Sequence, residues 1–383
     1  MKRLTVTALG QIAKADISFG DLTVFVGEQA SGKSILLQLI KLISDAGGIT
    51  QTLRKHGFDW QKNSDKFLSL YFGEGMEGIW KENETTVTYD RTDFTPQKVL
   101  LKRKKEESVF LIPAHRVVTL KDGWPRAFTD YGTSDPYVVK EFSEQLRLLM
   151  EAGLGSGERP IFPQEGRMNK TIRDAIGRSI FGKAEVRLDR SGLRKRIVLD
   201  VEGTQLPFMV WSTGQREFAP LLLGLYWLMP SGNTQKKNNI NWVVIEEPEM
   251  GLHPQAISAL LLMFLELLRR GYNVIVSTHS PQILELVWAI QFIAKSKDAP
   301  ARLRQLLGLK ANAFSYDLTE TVISKKTYKT YYFSRQHNAV NVKDISTLDA
   351  EDMDEAVSDW GGLTAFSTKA SEVVSDAMGR ADL

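Results

Sequence analysis

Cysteine is absent from this chain. That excludes disulfides, thiolate zinc sites and a cysteine nucleophile, and it is compatible with a reducing cytoplasm. A surplus of one charge is missing as well. The 49 basic and 46 acidic residues leave a net charge of +3, so composition argues for neither nucleic acid nor a membrane surface. Long apolar runs are lacking: the longest, 220–229 and 259–265, are too short to span a bilayer. The opening Met1-Lys2-Arg3-Leu4-Thr5-Val6 alternates like a strand and holds no signal-peptide core. Internal repeats and low-complexity blocks are not found. What is there is the composition of a folded domain, with 43% apolar and 25% charged residues in 383.

The most informative stretch is Gly27-Glu28-Gln29-Ala30-Ser31-Gly32-Lys33-Ser34, which satisfies G-x-x-x-x-G-K-[ST] at every fixed position. Before it, 22–26 reads as a buried strand, and after it Ile35-Leu36-Leu37-Gln38-Leu39-Ile40 opens an apolar helix. In that setting the backbone of Gly27, Gln29, Ala30, Ser31 and Gly32 and the helix N-terminus surround a phosphate. Lys33 then reaches the β- and γ-phosphates, and the Ser34 hydroxyl sits on Mg²⁺. A chance match in a glycine turn is the alternative, and the flanking strand and helix weigh against it.

Elsewhere, 2–8 and 15–19 alternate as strands, and the helix after the loop is expected to stop at Gly47-Gly48. Segments 67–72, 85–89 and 98–103 read as strands of an antiparallel β-subdomain. The apolar run 109–112 is a buried strand delivering His115 and Arg116 either to an active-site edge or simply to a surface loop. From 117 to about 197 helical spacing dominates, with Arg187, Arg190, Arg194, Lys195 and Arg196 forming either a phosphate-binding face or a solvated one. Trp211-Ser212-Thr213-Gly214-Gln215 runs straight into an apolar helix, which suits an N-terminal anion site or an ordinary cap. The apolar strand 242–245 ends in Glu246-Glu247, a costly pair unless it holds a metal or does chemistry. A further buried strand, 272–276, ends in Ser277-Thr278-His279-Ser280-Pro281, and the tail holds a hairpin, an acidic run and a last helix.

In this order, phosphate loop, Ser-Thr-Gly-Gln loop, strand ending Glu246-Glu247 and strand ending His279, the chain resembles the ABC-type ATPases. The phrase Glu246-Glu247-Pro248-Glu249-Met250-Gly251-Leu252-His253-Pro254 is similar to that of OLD-type and related stand-alone ATPases of bacterial anti-phage defence. The resemblance implies an α/β fold with a mixed or parallel core sheet, an antiparallel β-subdomain and a helical insertion. It implies ATP and Mg²⁺ as ligands. Glu246 would stand on the Mg²⁺ side with Ser34, Glu247 would orient the attacking water, and His279 would sense the γ-phosphate. Ser212, Gly214 and Gln215 would meet the γ-phosphate of ATP held by another subunit, so a homo-oligomer with ATP at its interface is expected. The implied layout is 1–116 as the first half of the ATPase domain, 117–200 as insertion, 201–294 as the second half, and 295–383 as an extension.

Departures from the family pattern are Gln29-Ala30 for Asn-Gly, Glu246 for aspartate, and Thr213 for glycine, which together make slow turnover plausible. The expected role is an ATP-hydrolysing switch acting on an effector in trans such as a Toprim nuclease, with a phage-derived protein as trigger. A DNA-associated ATPase of the OLD or Rad50 kind is the alternative. A Toprim centre within this chain would need an Asp-x-Asp after a strand, and Asp352-Met353-Asp354 lies instead in an acidic run.

Overall fold

The computed structural model describes residues 1–61, 63–99, 107–128, 131–155, 157, 159–192, 194–231, 236–237 and 239–381. The first strands are β1 (Arg3–Leu9), β2 (Ile12–Ser18), β3 (Leu22–Gly27), β4 (Thr86–Tyr89), β5 (Thr92–Phe94) and β6 (Val109–Ile112). A short hairpin, β7 (Leu120–Lys121) and β8 (Trp124–Pro125), precedes β9 (Glu185–Asp189), β10 (Arg196–Val201) and β11 (Thr204–Pro207). The last strands are β12 (Trp242–Glu246), β13 (Asn273–Ser277), β14 (Tyr328–Gln336) and β15 (Ala339–Asp344). The helices begin with α1 (Lys33–Lys55), α2 (Ser64–Phe72), α3 (Pro96–Val99), α4 (Tyr137–Glu151), α5 (Lys170–Ile176) and α6 (Thr213–Leu228). They continue with α7 (Pro254–Arg269), α8 (Pro281–Ile293), α9 (Ala299–Leu306), α10 (Ala313–Lys325), α11 (Glu355–Ser358) and α12 (Ala365–Ala381).

This is an α/β fold built on a large mixed sheet. Ten strands run in the order β5-β4-β1-β2-β15-β14-β3-β13-β12-β6. Strands β14, β3, β13, β12 and β6 are mutually parallel, and β1, β2, β4 and β5 form an antiparallel wing. The central strands are apolar throughout because both faces are covered. Alternate residues go to opposite cores: Val24, Val26, Ile112, Val243, Ile245 and Val274 pack with α6, α7 and α8. Phe25, Val109, Leu111, Val244 and Ile275 face α1 and α2 on the other side.

Three expectations are corrected. Segment 67–72 is helical, not a strand: Asn63 caps α2 by accepting from the Lys66 N–H (3.0 Å), and Phe67, Leu68, Tyr71 and Phe72 fall on one buried helical face. Helix α1 does not stop at Gly47-Gly48 but runs on to Lys55. It kinks at Asp45 (φ −116°), whose carboxylate accepts from the Ser108 and Val109 N–H groups, and the buried Ile49 and Leu53 continue its apolar stripe. Segment 98–103 lies partly outside the described residues, and its first residues close α3.

The expected insertion at 117–200 contains α4 and α5 together with β7 to β10. The small sheet β11-β10-β9 carries on across residue 200. The tail hairpin β14–β15 is not peripheral. It fills the gap between β2 and β3, and its strand β14 pairs with β3 from Tyr328↔Leu22 to Phe333↔Gly27.

Candidate nucleotide site

Parallel strands β3, β12 and β13 end on one edge of the sheet, where loops gather the polar residues. At the end of β3 the chain turns through Gly27 (φ 144°) and Gly32 (φ 89°) into α1. A Cβ on Gly27 would lie 2.7 Å from the Phe333 carbonyl oxygen, so the loop needs glycine there for close approach as well as for its dihedral. Lys33 is buried, and its ammonium donates to the carbonyls of Gly27 (2.9 Å) and Glu28 (2.7 Å). Burial pulls its pKa down, while Glu247 and Glu249 oppose that shift. Ser34 opens the first turn of α1 with its side chain exposed.

The two adjacent acids at the end of β12 have opposite environments. Glu246 is buried and accepts from the Ala114 N–H (3.1 Å), while its other oxygen, Oε1, is buried with no hydrogen-bond partner. Desolvation pushes its carboxyl up to about 7. An orphaned buried oxygen of this kind fits a cation or a proton. Glu247 turns the other way through a left-handed backbone (φ 42°). Its carboxylate lies 3.4 Å from His279 Nε2, and that neighbour holds its pKa below the ordinary value.

Two further residues hold this arrangement together: Glu249, given no role by the sequence alone, and Arg116, expected either at an active-site edge or in a surface loop. Glu249 accepts from the Thr278 hydroxyl (2.7 Å) and the His279 N–H (2.6 Å), tying the loop after β12 to the histidine. Arg116, fully buried, donates to the carbonyls of Glu246 (3.1 Å), Glu247 (3.2 Å) and Glu217 (3.0 Å). Charged donors on these carbonyls fix the strained Glu247 peptide and couple it to α6. His115, its sequence neighbour, is exposed. The Glu-x-x-Glu spacing after an apolar strand is a legible signal for Glu249, whereas Arg116 had only its place after β6.

Ser212 is the N-cap of α6. It accepts from the Gln215 N–H (3.3 Å), and the Gln215 side chain answers by accepting from the Ser212 N–H (3.1 Å), a reciprocal capping box. Gly214 presses on the turn after β12, where an added Cβ would lie 2.7 Å from the Gly251 carbonyl. Lys33, Glu246, Glu247 and His279 are thus brought to one edge. Among the described residues no hydrogen bond or ion pair links 212–215 to 27–34.

Comparison with known proteins meets this site. Residues 120–285 match the family model described as "AAA domain, putative AbiEii toxin, Type IV TA system". The matched span takes in Ser212, Gly214, Gln215, Glu246, Glu247 and His279, and leaves 27–34 outside it. Over 67 residues the chain is 37% identical to the Old nuclease of Escherichia phage P2, which covers 18% of this chain and 11% of that protein's length. An SMC head bound to the C-terminal winged-helix domain of ScpA aligns at 11% identity and TM-score 0.43, over 90% of this chain and 96% of the other. The SMC head domain from Thermotoga maritima aligns at 12% and 0.36, over 90% and 98%. A dimeric bacterial ABC transporter cassette aligns at 11% and 0.32, over 74% and 90%.

Proposed function

We propose that this protein is an ATP-binding and ATP-hydrolysing switch of the ABC type, working in the cytoplasm as an oligomer that controls a separate effector. The observation that carries this reading is the Glu247–His279 pair, 3.4 Å apart at the ends of adjacent parallel strands, with its charge felt by Lys33. Phosphoryl transfer needs positioning and charge neutralisation, and these residues offer both. Lys33 and the loop amides bind phosphates, and Glu247 orients and accepts from water. His279 reports the γ-phosphate to the loop that Glu249 holds. Mg²⁺ bound by Ser34 and Glu246 would neutralise phosphate charge. Ser212, Gly214 and Gln215 act on ATP held by a neighbouring copy.

In its motif phrases the chain resembles the ATPase subunit of the PARIS anti-phage system, and the 67-residue likeness to the Old nuclease supports a place in phage-related biology. On this reading the effector is a Toprim nuclease in trans, the trigger is a phage-derived protein, and the chain itself cuts no DNA.

The test is steady-state ATPase assay with nucleotide retention. Lys33→Ala should abolish ATP binding. Glu247→Gln should slow hydrolysis by about a hundredfold or more while ATP stays bound, as expected when a water-orienting carboxylate is removed. Full turnover by Glu247→Gln would remove that residue from its role.

A second reading, a DNA-associated ATPase of the OLD or Rad50 kind, is favoured by one cavity of about 900 Å³. Lys121, Arg126, Arg147, Arg194, Lys195 and Arg196 line it beside Trp124. Turnover stimulated by duplex DNA, with the stimulation falling steeply as salt rises, would favour this reading over the first.

A further inference from the structure

The phosphate loop carries a defect that its sequence does not repair. Ala30 occupies a left-handed backbone (φ 52°) where glycine would be at ease, at a cost of roughly 1–2 kcal/mol for an L-residue. Such a conformation persists only where the surroundings hold it. Two side chains do so from outside the loop. Gln11, in the turn between β1 and β2, donates from Nε2 to the Ala30 carbonyl. Arg335, near the end of β14, donates from Nη2 to the carbonyls of Gln29 (3.2 Å) and Ala30.

Topology explains why these two residues arrive there. Strand β14 runs parallel to β3 and in register with it as far as Phe333↔Gly27, so Arg335 lies beyond the end of β3, alongside the loop. Gln11 comes from the same side of β3, from the strand turn beyond β15, and is itself fixed, because its carbonyl accepts from the Val340 N–H (2.8 Å) of β15. The β1–β2 turn also closes on the second glycine of the loop: a Cβ on Gly32 would lie 2.9 Å from Ile12 Cγ1.

A planar trans peptide sets carbonyl and following N–H in opposite directions. Pinning the carbonyls of Gln29 and Ala30 outward therefore aims the N–H groups of Ala30 and Ser31 to the other side, where an anion is received. We propose that Arg335 and Gln11 form an external clamp that holds the phosphate loop in its anion-receiving conformation. Both are positioning residues, acting on nucleotide through the loop. The clamp gives the C-terminal hairpin a task at the nucleotide site. This inference rests on reading 27–34 as a nucleotide site, but the clamp itself is measurable without nucleotide.

The experiment compares full-length wild type with Arg335→Ala, Arg335→Lys and Gln11→Ala. Hydrogen exchange of the loop amides is followed in nucleotide-free protein, and KM and kcat for ATP are then measured. In Arg335→Ala the amides of 28–32 should exchange at least about tenfold faster, with the melting temperature kept within a degree or two. KM for ATP should rise about tenfold with kcat changed less than about twofold, and Arg335→Lys should recover most of the loss. Unchanged loop exchange in both Arg335→Ala and Gln11→Ala would overturn the clamp. So would equal losses in Arg335→Ala and Arg335→Lys with a lowered melting temperature, which marks a general structural role. A wild type that binds no ATP yet shows the exchange difference would remove the nucleotide reading and leave the clamp standing.

Discussion

Three glutamates within four positions show how one residue type is divided by environment. Glu246 is buried with one oxygen unpartnered, Glu247 is held ionised by His279, and Glu249 ties the histidine backbone down. Burial raises the pKa of Glu246 to about 7, against an ordinary 4.5. Its folded carboxyl therefore keeps a proton that the unfolded chain releases. The stability this gives is full below the unfolded value and is lost as pH rises from about 4.5 through about 7. Above that the ionised group weakens the fold by about 3 kcal/mol, taking 1.36 kcal/mol for each pKa unit. In Mg²⁺-free buffer Glu246→Gln should therefore melt progressively above wild type as pH goes from 5 to 8. A melting difference that does not change with pH would show that Glu246 is not the titrating group.

At this scale the sequence was legible wherever chemistry demands a residue type at a set spacing. Gly27, Lys33, Glu247 and His279 all come to the edge where their motifs led one to look. Arg335 and Gln11 were not legible as part of the site, and Arg116 was legible only through its place after β6. Each works by reaching carbonyls distant in the chain, and a carbonyl carries no signature in a sequence.

Among the elements, α6 and the turn after β12 are held in close contact. Gly214 allows that turn to approach, and Arg116 joins the two by binding Glu217 as well as Glu246 and Glu247. Gly214→Ala forces a Cβ to within 2.7 Å of the Gly251 carbonyl, and backbone cannot swing aside as a flexible side chain does. The variant should lose about 1–3 kcal/mol of stability by overpacking and lose turnover, yet still bind ATP at Lys33. Calorimetry with parallel nucleotide titration checks both, and wild-type melting would show that the turn yields. Element types were read well where a strand is uniformly apolar, as in β3, β6, β12 and β13. They were misread at 67–72, where an aromatic-rich run suits a strand by composition but repeats at helical spacing behind an asparagine cap.

For the whole molecule, the proposed composite site makes a prediction about mixtures. Lys33→Ala and Ser212→Arg protomers should each be inactive alone. Mixed in equal amounts they form pairs with one intact site, and about a quarter of wild-type turnover should return if copies exchange freely in a two-fold arrangement. No recovery, with exchange verified by size-exclusion chromatography on differently tagged copies, would place Ser212 outside its neighbour's site. The parallel centre was legible, but of the antiparallel strands expected at 67–72, 85–89 and 98–103 the second lies in the wing, as β4, while the first is helical and the third falls partly outside the described residues. That the hairpin of the tail lies between wing and centre was not legible, because strand order depends on contacts that a linear pattern does not record.

That placement has a consequence for how the molecule comes into being. Strand β3, which leads into the phosphate loop, is made some three hundred positions before its neighbour β14. The Tyr331 hydroxyl donates to the Ser18 carbonyl (2.9 Å) across 313 residues of chain. Until the hairpin is synthesised, β2 and β3 each present an unpaired edge, a template for wrong partners. While that span is made, the edge of β3 beside the loop stays unpaired. Closure of the sheet waits on a long-range pairing, the kind of contact whose loop-closure entropy slows folding.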